Sequence, residues 1–128
     1  MLPFYRAALA GLAITTAFSV IAWAHQYPAQ SVSAYQNACY YSCMASVAKR
    51  GVSMDDEKLQ TWVNQVCQES CQCQVDRLQT VMDYDGFVTY GRALQNNKAE
   101  SHPRHQQVME AMNSCAQEVI RQHPVPAR

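Results

Sequence analysis

Six cysteines carry most of the chemistry open to this sequence, and five of them fall between residues 39 and 73. They read Cys39-Tyr-Tyr-Ser-Cys43 and Cys67-Gln-Glu-Ser-Cys71-Gln-Cys73, with Cys115 apart. Three chemistries suit such a set. Two C-x3-C pairs could supply thiolates to a tetrahedral zinc. Cys71-Gln-Cys73 could close a strained and reactive local disulfide, a thiol-redox device. All six could instead be structural bridges. The even count favours the third, and so does the register. A four-residue spacing stacks both sulfurs on one face of a helix. In an antiparallel helical hairpin, paired residue numbers sum to a constant. Cys39 with Cys71 and Cys43 with Cys67 both sum to 110, which puts the fold point near Asp55. The crossed pairing would violate the narrow Cα separation that a disulfide tolerates. Cys73 lies about 200° around the helix from Cys71, so its partner is elsewhere, and Cys115 is the cysteine left.

Other sets are weaker. His105, Met109 and Met112 fall at i, i+4 and i+7, and thioethers with an imidazole suit Cu(I). His25 would add an amine and a ring if processing exposed it as the N-terminus, resembling one end of the histidine brace of secreted copper proteins. No matching second histidine can be named, and surface or core roles are the commoner fate of such residues. Asp83-Tyr-Asp85-Gly86 resembles a fragment of a calcium loop. Aligning Gly86 with the loop's sixth position, however, puts Val81 at the first and Arg92 at the twelfth, where Asp and a bidentate Glu belong. The stretch therefore reads as a turn. There is no G-x-S-x-G, no C-x-x-C and no glycine-rich phosphate loop. The expectation is a protein without catalytic activity, cofactor or bound metal.

The elements that must position these residues are helices. Ser33-x-x-Gln36 can cap a first helix over residues 34–49, in which Tyr35, Cys39, Cys43 and Val47 form one stripe. Arg50-Gly51 reads as its stop. Ser53 and Asp56 resemble a capping box, and the acidic run Asp55-Asp56-Glu57 suits the positive end of a second helix over residues 54–82. Leu59, Trp62, Val63 and Val66 recur there at helical spacing beside Cys67 and Cys71. So long a helix invites a break near Cys73. Phe87-Val-Thr-Tyr90 is extended or opens a short helix through Gln95. His102-Pro103 begins a last helix, with Pro in its first turn, and Val108, Met112, Cys115 and Val119 form its inner stripe. The tail His123-Pro-Val-Pro-Ala-Arg128 cannot continue a helix and should be mobile. The expected fold is all-α: a small disulfide-stapled hairpin plus a third, C-terminal helix.

The start of the chain has Arg6 followed by eighteen uncharged residues, 7–24, ending Ala22-Trp23-Ala24. Residues 1–24 read as a signal peptide cleaved after Ala24 or as an uncleaved anchor. Val32-Ser33-Ala34 is a more distant cleavage site. Residues 25–32 read as a polar linker, 33–123 as the helical domain and 124–128 as a flexible tail. Ten basic and ten acidic residues cancel, and no basic patch exists to hold nucleic acid. Membrane contact is expected only through residues 2–24, if they are retained. Disulfides persist in oxidising compartments. The expected location is export: the bacterial periplasm, the periplasmic face of the inner membrane, or secretion.

The twin C-x3-C pattern of Cys39, Cys43, Cys67 and Cys71 resembles that of the small translocase chaperones of the mitochondrial intermembrane space. That resemblance implies two antiparallel helices stapled by two disulfides. It covers about a quarter of the chain. The leader, the twenty-three residues between the pairs and the Cys73/Cys115 pair with a further helix all depart from the family, so the chaperone role is not carried over. The functional expectation is an accessory subunit or scaffold of a cell-envelope complex, working by contact with a protein partner. Tyr40, Trp62, Tyr84, Phe87 and Tyr90 are its expected interaction surface, although a core role suits Trp62 better. The alternatives are a periplasmic or secreted binding protein for an apolar ligand or copper, and a thiol-redox protein using Cys71 and Cys73.

Overall fold

The structure, a computed structural model, describes residues 26–127. The leader at 1–24 and His25 lie outside the described residues. Four α-helices follow in order: α1 (Ala29–Lys49), α2 (Glu57–Val81), α3 (Tyr84–Gln95) and α4 (His105–Gln122), with a 3₁₀ turn at Ala99–Ser101 before α4. The described residues contain no strand.

Helix α2 is the centre. Its buried residues Val63, Cys67, Ser70, Cys71, Gln74, Val75 and Leu78 recur at three and four residues, and helices α1 and α4 pack against it. The hairpin forms where the local chemistry directs it. Gly51 ends α1 with φ +72°, the left-handed region that costs glycine least. Asp56 then caps α2, its Oδ1 accepting from the amides of Lys58 and Leu59 at 2.9 and 3.4 Å. Ser53, expected in that role, instead donates to Asp55.

All three expected bridges are present: Cys39–Cys71, Cys43–Cys67 and Cys73–Cys115, with Cα separations of 5.7–5.8 Å. The first two join α1 to α2 and the third joins α2 to α4. Their placement answers a packing need. Helix α1 has no fully buried residue; Tyr35, Cys39, Cys43 and Val47 are half-buried. A 21-residue helix with so thin a contact gains little from burial, and two covalent staples make up the difference by restricting the unfolded chain. With no free cysteine, three disulfides mark an oxidising environment, as in exported proteins.

The hydrophobic core lies at the other end of α2, away from the hairpin tip. Val75, Leu78, Met82, Tyr90 and Val108 cluster there with Tyr27. Tyr27 is a correction to the reading of residues 25–32 as a linker. It is 4 % exposed, its amide donates to Gln79 Oε1 at 2.9 Å, and its hydroxyl reaches the carbonyls of Leu78 (2.8 Å) and Met82 (2.9 Å). Those carbonyls close the C-terminal end of α2: Leu78 O also accepts from the amide of the C-cap Met82 at 3.1 Å, and Met82 O lies just past the helix. Pro28 precedes the first turn, so α1 starts at Ala29, five residues before the expected start.

Three further boundaries differ from expectation. No break occurs at Cys73; α2 is continuous, because its two disulfide-bearing faces are each held by a neighbour. Asp83 is the N-cap of α3, its Oδ1 accepting from Gly86 N at 2.8 Å, so the Asp83–Gly86 stretch opens a helix. Gly86 is there for close approach: a Cβ would lie 3.1 Å from Met82 Cβ. Pro103 sits ahead of α4 rather than in its first turn.

Candidate functional site

The cysteine chemistry is spent on structure. Cys71 and Cys73 point to opposite neighbours and are bonded to α1 and α4 respectively, so the local Cys71–Cys73 bond of the redox reading does not form, and neither does a thiolate cluster for zinc. The copper set is also divided. His105 Nδ1 is hydrogen-bonded to the Tyr90 hydroxyl at 2.9 Å, Met112 packs against the core and Met109 is exposed. Among the described residues, no three of His, Cys, Asp and Glu gather as a metal set. His102 is held on both ring nitrogens, by Thr89 Oγ1 (3.1 Å) and the Arg104 amide (3.1 Å).

The five aromatic residues expected to form an interaction surface separate. Tyr90 is 6 % exposed and belongs to the core, so it offers no contact area; its hydroxyl is satisfied by the half-buried ring of His105. Phe87 is half-buried, with its ring 4.7 Å from that of Tyr27 and 5.9 Å from that of Tyr35. Tyr84 borders the same cluster at the surface. Burial pushes the Tyr27 phenol up to about 12, with the Asp83 carboxylate adding to the effect. Burial, then the neighbouring Tyr90, does the same for Tyr35, also to about 12. Tyr40 lies between α1 and α2 and donates to Asn64 Oδ1 at 2.6 Å. Tyr41, next to it, is 71 % exposed.

Trp62 sits at the hairpin end with the C-terminal tail against it. Its Nε1–H donates to the His123 carbonyl at 2.7 Å, and the His123 ring bonds to Glu69 Oε2 at 2.5 Å. The tail, expected to be free, is thus held at its first residue. Beyond it, Val125 and Pro126 form one wall of a partly enclosed groove of about 430 Å³. The opposite walls are Val47 of α1, Val52 of the connecting loop, and Leu59, Trp62 and Val66 of α2. The two charged residues in its lining, Arg50 and Asp56, flank the loop at the hairpin tip. Size and apolar character place the groove in the range of small-molecule sites.

The groove was not legible in sequence because its walls come from four separate segments. The one available signal was that Leu59, Trp62 and Val66 continue the apolar stripe of α2 beyond the last cysteine pair, toward the hairpin tip. Among the described residues, no helix is long and apolar enough to cross a membrane. No family model, no curated protein and no solved structure matches this chain.

Proposed function

We propose that this domain is a non-catalytic interaction module, an accessory subunit or scaffold of a cell-envelope complex, exported to the periplasm or its membrane face. The observation that carries the reading is the way α1 is mounted. Its main helical neighbour is α2, two disulfides hold it there, and only its first turns touch α3, through Ser31 and Tyr35. Its outward face, Ala34, Ala38, Tyr41 and Ala45, is exposed throughout. Small residues at helical spacing let a second helix approach closely, and a rigid, exposed tyrosine in their midst supplies contact area. Stapling makes that face rigid, which reduces the entropy lost on binding.

The test is site-specific photocrosslinking in the native cell envelope. A photoreactive residue at position 41 should give one discrete adduct with a partner protein, and the same residue at Leu94 should give none. Tyr41→Asp should abolish co-purification of that partner. Adducts of equal yield from both positions, or retention of the partner by Tyr41→Asp, would refute the reading.

A second reading, a binding protein for an apolar ligand, is supported by the groove at the hairpin tip. The two readings use opposite sides of the hairpin and are compatible.

A further inference from the structure

The groove has one apolar length and one charged end. Val47, Leu59, Trp62 and Val66 form its floor and sides. Its charges are confined to Arg50, the C-cap of α1, and Asp56, the N-cap of α2. These two are not equivalent. Each sits at the helix end that suits its charge, Asp56 at the positive start of α2 and Arg50 at the negative end of α1. They differ in their side-chain partners: the Asp56 carboxylate is engaged by two amides of the first turn of α2, whereas Arg50 takes part in no ion pair among the described residues. The charged group at the end of the groove with no ionic partner in the fold is therefore a cation.

Resting on the binding reading above, we infer that this groove takes a single-chain anionic amphiphile. Its apolar chain lies along Leu59, Trp62 and Val66, and its carboxylate or other anionic head meets Arg50. A water molecule, about the size of a methylene, has a share of liquid volume of about 30 Å³. The groove of about 430 Å³ then has room for about fourteen such units, which corresponds to a chain of about ten to twelve carbons with its head. The tail residues Val125 and Pro126 close the chain over on the solvent side.

Calorimetric titration of the full chain with monomeric decanoate and with decanol tests this. Decanoate should bind once per domain, and decanol should bind about fivefold more weakly, since a partly exposed charge contributes at most about that factor. Arg50→Glu should weaken decanoate at least fivefold and leave decanol within about twofold; Arg50→Gln should lie between. Val66→Phe, which narrows the groove where the chain lies, should weaken both. Three closed disulfides by intact mass, with native helical circular dichroism and a cooperative urea transition, certify each variant as folded. Equal affinity for both ligands, or indifference to Arg50→Glu, would overturn the anionic assignment and leave the apolar site standing. Binding of neither ligand would remove the binding reading as well. Sedimentation with anionic vesicles distinguishes the source of the head group: attachment to vesicles without binding of monomeric decanoate would mean a surface interaction and overturn the proposal.

Discussion

Tyr27 offers the sharpest test of the structure, because a tether and a core residue respond differently to its removal. In a tether, replacing it costs almost nothing, since surface changes stay within about ±0.5 kcal/mol. The structure buries the ring among Val75, Leu78, Met82 and Tyr90 and directs the hydroxyl at two carbonyls closing α2. Tyr27→Phe keeps the ring but removes the donor to the Met82 carbonyl and the second donor to Leu78 O, which keeps the Met82 amide, a loss of about 1–2 kcal/mol. Tyr27→Ala also removes the aromatic ring, for a total of about 3–5 kcal/mol. Against a net stability of about 5–15 kcal/mol for a small domain, the alanine variant stands close to unfolding. A double-mutant cycle with Phe87, whose ring lies 4.7 Å away, should show a coupling of about 0.5–1.5 kcal/mol. The assay is urea unfolding followed by helical circular dichroism with all disulfides intact, so that every variant has the same constrained unfolded state. Losses below about 0.5 kcal/mol for both single variants would refute the docking of residues 26–32 and restore the linker.

Two further outcomes follow from the same geometry. Replacing Cys73 and Cys115 together by alanine opens a loop with a sequence separation of 42; the chain-entropy relation gives a loss of about 4 kcal/mol, measurable as a fall in the urea midpoint, and a loss under about 1 kcal/mol would show that α4 is held by packing alone. The raised phenols of Tyr27 and Tyr35 set an alkaline limit. Their ordinary value is 10.0 and their folded value about 12, so the unfolded chain ionises first. Stability is complete below pH 10 and is lost as pH rises towards 12. Tyr27→Phe with Tyr35→Phe should flatten that decline, and an unchanged slope would exclude these two groups as its cause.

Much of the hairpin was legible from residue spacing because its determinants are local. Four-residue cysteine spacing, a constant sum of residue numbers, Gly51 at the end of one helix and Asp56 at the start of the next all act within a turn or two of the chain. The Cys73–Cys115 bridge followed by the same helical geometry, since two residues of separation turn a side chain to the far face of α2. The inner stripe of α4 was readable for the same reason: Val108, Cys115 and Val119 are buried. The aromatic residues show where this logic ends. Tyr84, Phe87 and Tyr90 lie on one short helix, and nothing within α3 distinguishes the ring that is buried from the one left at the surface.

The bridges, the helical class and the oxidising setting follow from residue order alone, since each depends on spacing along one helix or on the chemistry of cysteine. Which residues outside that pattern join it is settled only where the helices meet in space. Tyr27 is core because its ring fits among Val75, Leu78 and Met82 and its hydroxyl meets the carbonyls that close α2 from 51 and 55 residues away. Tyr90 is buried because α3 turns it towards His105 on another helix. The groove exists because Val47 and Val52 on one side and Leu59, Trp62 and Val66 on the other leave a gap near the hairpin tip, and a tail of Pro-Val-Pro, anchored at His123 by Trp62, lies across it. Contacts of that kind depend on where separate segments meet in space, and no periodicity within any one of them encodes the meeting.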